Sequence, residues 1–288
     1  MVTSSSSSPT VLKRWIAFEL RRLRETQNIS RDTAAEAIRG SVAQLQHIET
    51  GRSLPKPLEL DKLLETYGVA ERSEFFQELR TRAKKGRDWW IGFDEAAVPD
   101  WFALFLGLES SATKIESWDA QVVPGLFQTP EYAEAVIRGG EPDLSDDEVN
   151  DRVQLRTARQ RILDNDDPPK VWRVLHEAAL RSVFGGADIQ RAQLQHLGKL
   201  ARRPNIDIQV LPFAAAAYSG GHDTFTILSF SELEHDPGAV YVQTKIKGYY
   251  YEEPEELSTY RDAMTRLQVQ ALTPKQSSAF IHQVAEEL

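Results

Sequence analysis

The 288-residue chain contains no cysteine. Disulfides, thiolate zinc sites and cysteine nucleophiles are excluded together, and the composition fits a reducing, cytoplasmic location. No stretch approaches the roughly 18 uninterrupted apolar residues that a membrane helix needs, so no membrane is expected among the partners. The opening MVTSSSSSPT has no basic segment leading into an apolar one, so no secretory signal is expected. Residues 1–10 read instead as a disordered serine tail. No internal repeat is visible.

Catalytic signatures are scarce as well. HEAAL at 176–180 begins like a zinc-protease helix, but Leu180 stands where the second histidine belongs. SGGHDTF at 219–225 sets a glycine pair beside His222 and Asp223 without a partnered serine, and glycine pairs leading into strands usually mark turns. A hydrolytic site would require Glu177, His222 and Asp223 to converge in one cleft. The expectation is a protein without enzymatic activity, cofactor or metal.

Acid outweighs base overall, 43 Asp+Glu against 34 Lys+Arg, for a formal net charge of −9. The balance is uneven. Residues 1–90 hold 16 Lys+Arg against 12 Asp+Glu, whereas the remainder holds 18 against 31. A small basic domain ahead of a larger acidic one confines any polyanion-binding role to the first. The length suffices for two such domains, each with a core.

Residues 11–80 read as helices throughout. LKRWIAFELRRLRE places Leu12, Ile16, Leu20 and Leu23 at spacings of three and four. Ser30 caps a short helix over 31–38, a second short helix covers 41–49, and a fourth amphipathic helix stops at Gly68. SEFFQELRTRAKKGRD forms a fifth. The boundaries expected are a helix-turn-helix domain over 11–70, a helical connector over 71–99 and a second domain over 100–288. In the second domain, helices near 100–110, 130–138, 145–164 and 188–202 alternate with strands at 115–123, 170–176, 206–212, 223–230, 239–246 and 249–252, before two closing helices. The expected fold is an all-α first domain followed by a larger α+β domain with a mixed, largely antiparallel sheet.

The segment SVAQLQHIETGRSLP at 41–55 carries a specific signal. At about 100° per residue, Leu45 and Ile48 define its buried direction. Ala43 and His47 then point away from it, with Gln46 next and Val42 and Gln44 on the flanks. The outward face is small, polar and uncharged, whereas a solvent face would favour Lys and Glu. A surface entering a DNA groove must avoid carboxylates and present donors, acceptors or methyl-sized groups to base edges.

SRDTAAEAIRGSVAQLQHIETGR resembles the helix-turn-helix of phage-repressor-like (Xre/Cro-type) regulators. The resemblance implies that Ala35 lets two helices cross closely, that Leu45 and Ile48 hold the recognition helix down, and that Gly51 takes a left-handed cap. It places base reading on Val42, Ala43 and His47, phosphate anchoring on Arg31, and further contacts on Ser41, Gln44, Gln46, Arg52 and Lys56. Arg39 stands where the family often has glycine, with Gly40 one place later, which points to a rearranged turn. Val42 and Ala43 replace polar readers, leaving hydrogen-bonded specificity to His47 and Gln46.

A second resemblance covers the rest of the chain. ESWDAQVVPGLFQTPEYAEAVIRG, RVQLRTARQRIL, HEAALRSVFGG, QLQHLGKLARRPNIDIQVLPF and DTFTILSF are similar, in order, to the DUF5753 domain. That domain occurs behind Xre-type heads in actinobacteria such as Streptomyces. The resemblance implies a transcriptional regulator, working as a homodimer on double-stranded operator DNA. Its second domain would receive a signal from a small DUF397-type protein encoded nearby, or from a ligand. An alternative, from a different functional class, is an antitoxin-like protein that neutralises a small neighbouring protein and autoregulates through DNA binding. Turn chemistry and aromatics taken as exposed nominate Trp118, Pro124, Gly125, Tyr132, Tyr218 and His222 for partner or ligand binding.

Overall fold

The computed structural model describes residues 8–93, 97–215, 223–231 and 235–288. The chain forms two compact units, one of residues 1–91 with 231–236, the other of residues 92–230 with 237–288.

The first unit is all helical. Helix α1 (Pro9–Thr26) starts with proline in its first turn and with the Ser8 hydroxyl accepting from the Val11 N–H at 3.2 Å, both of which suit a helix N-terminus. Its Leu12, Trp15, Ile16, Leu20 and Leu23 are all buried. Helices α2 (Arg31–Ala37) and α3 (Val42–Glu49) are short, and each is capped by a serine, Ser30 on Thr33 and Ser41 on Gln44, at 3.1 Å. Helix α4 (Pro57–Thr66) carries Glu59 in its first turn, whose carboxylate accepts from the Lys56 N–H at 2.9 Å.

Helix α5 (Ser73–Lys85), in the segment expected to connect the domains, buries Phe76 and Leu79 in this unit. The Trp15 ring meets Phe76 at 5.4 Å and Phe75 at 5.8 Å between centroids, pinning α5 along α1. Asp236 joins the same unit, accepting from the Arg14 guanidinium at 2.8 and 3.4 Å.

The turn between α2 and α3 settles the Arg39 question. Arg39 itself adopts the left-handed conformation, φ 53°, and Gly40 donates to the Ala35 carbonyl at 2.9 Å. The turn keeps the geometry that a glycine would provide, with arginine bearing the strain.

The second unit is built on an open six-stranded sheet of order β3-β2-β1-β4-β5-β6. Its strands are β1 (Lys114–Asp119), β2 (Lys170–His176), β3 (Ile206–Leu211), β4 (Phe225–Ser229), β5 (Ala239–Gln243) and β6 (Gly248–Tyr251). Strands β1, β2 and β3 are mutually parallel, and β4, β5 and β6 continue antiparallel from β1. The sheet is mixed and largely antiparallel, as the sequence suggests. Parallel neighbours need crossovers, and helices α7 (Pro130–Gly140), α8 (Asp146–Arg159), α9 (Glu177–Arg181) and α10 (Ala187–Leu200) supply them. Helices α6 (Asp100–Ser111), α11 (Pro254–Gln270) and α12 (Pro274–Glu286) complete the unit.

One sheet face packs Trp118, Val174, Phe225, Ile227 and Val240 with Leu257, Met264 and Leu267 of α11. Because side chains alternate along a strand, Ser117, Asp119, Arg173 and Tyr241 fall on the other face. That face is buried as well, and these polar groups sit there among Ile115, Leu175 and Leu228.

Three elements end earlier than their sequence pattern. Strand β1 stops at Asp119, before the turn that Pro124 and Gly125 shape. The 145–164 helix changes after Arg159 into a 3-10 turn over Gln160–Asp164. Strand β5 stops at Gln243 because Thr244 and Lys247 close the hairpin, their backbones bonding at 2.9 Å. Among the described residues, no helix is long and apolar enough to cross a membrane.

Candidate nucleic-acid interface

Helix α3 is eight residues long, about 12 Å at 1.5 Å per residue, and a helix about 10–12 Å across with its side chains fits the width of a DNA major groove. Leu45 and Ile48 are buried as their spacing requires, each contributing about 1.5–3 kcal/mol by its removal from water. Val42, Ala43, Gln46 and His47 are exposed and span an arc of about 140° on the opposite side. No carboxylate lies on that arc, because Glu49, the one acidic residue of the helix, is turned inward and buried. Gly51 closes the helix at φ 69°, the left-handed cap expected of it.

Glu49 is the anchor that the sequence reading missed. Arg24 of α1 donates to it through Nε at 2.6 Å and Nη2 at 3.1 Å, while Arg24 Nη1 donates to the Ile29 carbonyl at 3.1 Å. Arg31 of α2 donates to the same carboxylate through Nε at 3.2 Å. One buried side chain thereby ties three helices and sets the pose of α3. The hydrogen bonding to Glu49 raises the Arg24 pKa above its ordinary value despite burial. The visible signal was a single Glu in a helix otherwise free of charge.

The flanking cations divide into engaged and open groups. Arg31 is half exposed, but its Nε is held by Glu49. Gln44 is half-buried, and its amide donates to Glu59 of α4 at 3.1 Å. Ser41 spends its hydroxyl on the α3 cap. Arg52 and Lys56 are exposed; Lys56 also lies 3.3 Å from Glu59. Arg39, left-handed at the preceding turn, is exposed too.

In the second unit, Trp118 and Tyr132 are not surface aromatics: both are fully buried. Trp118 belongs to the sheet core, its ring centroid 5.8 Å from that of His176 in an edge-on arrangement. Tyr132 packs on Phe184 and accepts from the Val123 N–H at 3.4 Å, and burial pushes its phenol up to about 12. The aromatic signal misled because these rings fill the interior rather than line a cleft. Pro124 is buried and Gly125 is half-buried at the start of a short 3-10 turn.

Three glutamine side chains hold that turn. Gln128 donates to the Val123 carbonyl at 2.6 Å, Gln160 to the carbonyls of Gly125 and Gln128 at 3.1 and 2.7 Å, and Gln193 to the Phe127 carbonyl at 2.6 Å. Tyr218 and His222 lie outside the described residues. Glu177 accepts from Arg181 at 2.6 Å and from the Phe213 N–H at 2.8 Å, and Asp223 is exposed. Among the described residues, no group of three His, Asp or Glu is placed to hold a metal ion.

A short helix with an exposed, uncharged face, anchored by a buried ion pair and flanked by arginine and lysine, defines a helix-turn-helix head. Residues 15–87 match the family model for a helix-turn-helix domain, an architecture that points to DNA-binding regulation. Residues 102–283 match the domain of unknown function DUF5753, and the chain belongs to that family. No curated protein matches the chain, and no solved structure does.

Proposed function

We propose that this protein is a non-enzymatic, cytoplasmic transcriptional regulator that binds operator DNA through α3. The observation that carries this reading is the outward face of Val42, Ala43, Gln46 and His47, free of carboxylates and bordered by exposed Arg52 and Lys56. Ala43 and Val42 suit the methyl group of thymine, and Gln46 and His47 suit hydrogen-bonding base edges. Arg31, Arg52 and Lys56 serve the phosphates, with Ser41 and Gln44 fixing the start of the helix.

The chain acts as a homodimer, because two heads on half-sites one helical turn apart multiply a weak single-head affinity. Its acidic second domain receives a signal, from a small DUF397-type protein or a ligand, that shifts or masks the heads. No cofactor or metal takes part. The test is binding of the purified protein to its own upstream DNA in a salt series, with and without the small protein encoded next door. Salt-sensitive binding that the neighbour strengthens or abolishes supports the reading. Binding without sequence preference in either condition overturns it.

A further inference from the structure

Helix α8 carries Arg152, Arg156 and Arg159 at positions i, i+4 and i+7, one stripe along its surface. The two ends of the stripe are neutralised. Arg159 makes a two-point pair with Glu109, both bonds at 2.8 Å, under the rings of Phe102 and Phe105. Arg152 pairs with Glu141. Below the stripe, Arg173 lies over the Phe127 ring, donates to Ser117 at 2.5 Å and sits 3.9 Å from Asp119.

Arg156, in the middle, differs. Its Nη1 donates to the neutral Gln128 Oε1 at 2.9 Å, and among the described residues no carboxylate lies within ion-pair distance of it. Burial, then Arg159 and Arg152, pull its pKa down to about 10, and Glu141 offsets this only in part. The cluster thus holds four guanidiniums and three carboxylates. Arg156 is half-buried rather than sealed. Gly125 faces it: a Cβ there would lie 3.5 Å from Arg156 Cγ and 3.5 Å from Arg159 Nη1, ordinary contact distances, so the Gly125 backbone lies close beside both side chains.

We propose that Arg156, facing Gly125 beside Arg159, is the binding point of a small oxyanion ligand, a carboxylate or a phosphate, in the second unit. The planar guanidinium matches two oxygens of either group, and a bound anion supplies the missing charge. It also competes with Gln128 for Arg156. Gln128 in turn holds the Val123 carbonyl, so the ligand acts directly on the Pro124–Gly125 turn. That regulatory consequence rests on the function proposed above; the site itself does not.

The test is thermal unfolding of the full chain at constant ionic strength, with inorganic phosphate in one arm, succinate in the other and chloride as the control. A saturable rise in Tm is expected in one arm, and the responding arm identifies the ligand class. Arg156→Gln should raise the half-saturating concentration by about tenfold or more, the loss of one charged hydrogen-bonding group. Arg191→Gln, which removes an arginine from α10, should leave it unchanged. If Arg156→Gln does not fold, Arg156→Lys keeps the charge and loses the fork, and an intermediate weakening is expected. No saturable response to either probe overturns the proposal, as does a wild-type response in a folded Arg156 variant. The measurement contains no DNA, so its failure leaves the role of α3 standing, and failure of DNA binding leaves this site standing.

Discussion

Arg24 and Glu49 form a buried two-point ion pair, at 2.6 and 3.1 Å, that fixes the last turn of α3 to α1. Both partners are almost fully shielded from solvent. Glu49→Gln keeps the shape and leaves the buried Arg24 guanidinium only the half-exposed Glu25, at 3.2 Å, as a counter-charge. Removing one partner of a buried pair costs about 3–5 kcal/mol. Urea unfolding followed by tryptophan fluorescence should show a loss of that order, and a loss under about 1 kcal/mol contradicts the anchoring role.

Arg39 bears left-handed backbone strain at the turn before α3. Arg39→Gly removes the strain and loosens the unfolded chain, two effects of about 1 kcal/mol that nearly cancel. Arg39→Val cannot escape the penalty, because a β-branched side chain fits the left-handed region poorly, and a loss of about 1–2 kcal/mol is expected. Denaturation midpoints of the two variants check the order, and equal stability of both contradicts it.

His47 and Arg31 should separate by kind of contact. Loss of a base-reading side chain costs about 1–3 kcal/mol on the preferred site, and His47→Ala should leave non-specific binding unchanged. Arg31→Ala should weaken binding to every duplex and lower the salt slope by about 1. The Glu49 bond to Arg31 sharpens this test. An unchanged slope would mean that Arg31 serves Glu49 and no phosphate.

Asp119 and Glu19 should respond to acid in opposite directions. Burial raises Asp119 from its ordinary 3.8 to about 6, against the pull of Arg173 and Ser117. The folded second unit therefore holds this proton more tightly than the unfolded chain, and the Asp119 contribution grows as pH falls from about 6 towards 4. Burial also acts to raise Glu19 in the first unit, but its hydrogen bonds from Arg22 and Arg72 prevail and hold it below its ordinary 4.5. Its contribution is complete above that value and is lost as pH falls through the folded pKa. Tm measured from pH 7.5 to 4 should fall less for wild type than for Asp119→Asn. Parallel curves contradict the assignment.

The buried side of α3 was legible because Leu45 and Ile48 repeat with the helical period, and Gly51 marked its end. The position of Glu49 was not, since its partners Arg24 and Arg31 lie 25 and 18 residues away and follow no local pattern. Strands β2, β4 and β5 announced themselves as apolar runs, yet their neighbours depend on non-local pairing, which periodicity does not encode. Trp118 and Tyr132 show the same gap. Residue type made them candidates, and only packing decided that they fill the core. Arg156 escaped notice because each arginine of α8 looks alike until the carboxylates from α6 and from the end of α7 are placed beside its neighbours.

The most direct test of the DNA-binding account is selection from a randomised duplex pool, by the wild-type protein and by Ala43→Glu. Ala43 is exposed, so the substitution leaves the core of the first unit intact while placing a carboxylate at the centre of the reading face. The account predicts that wild type enriches a defined motif and that Ala43→Glu, folded by circular dichroism, enriches none. A motif recovered equally well by both proteins, or by neither, contradicts it.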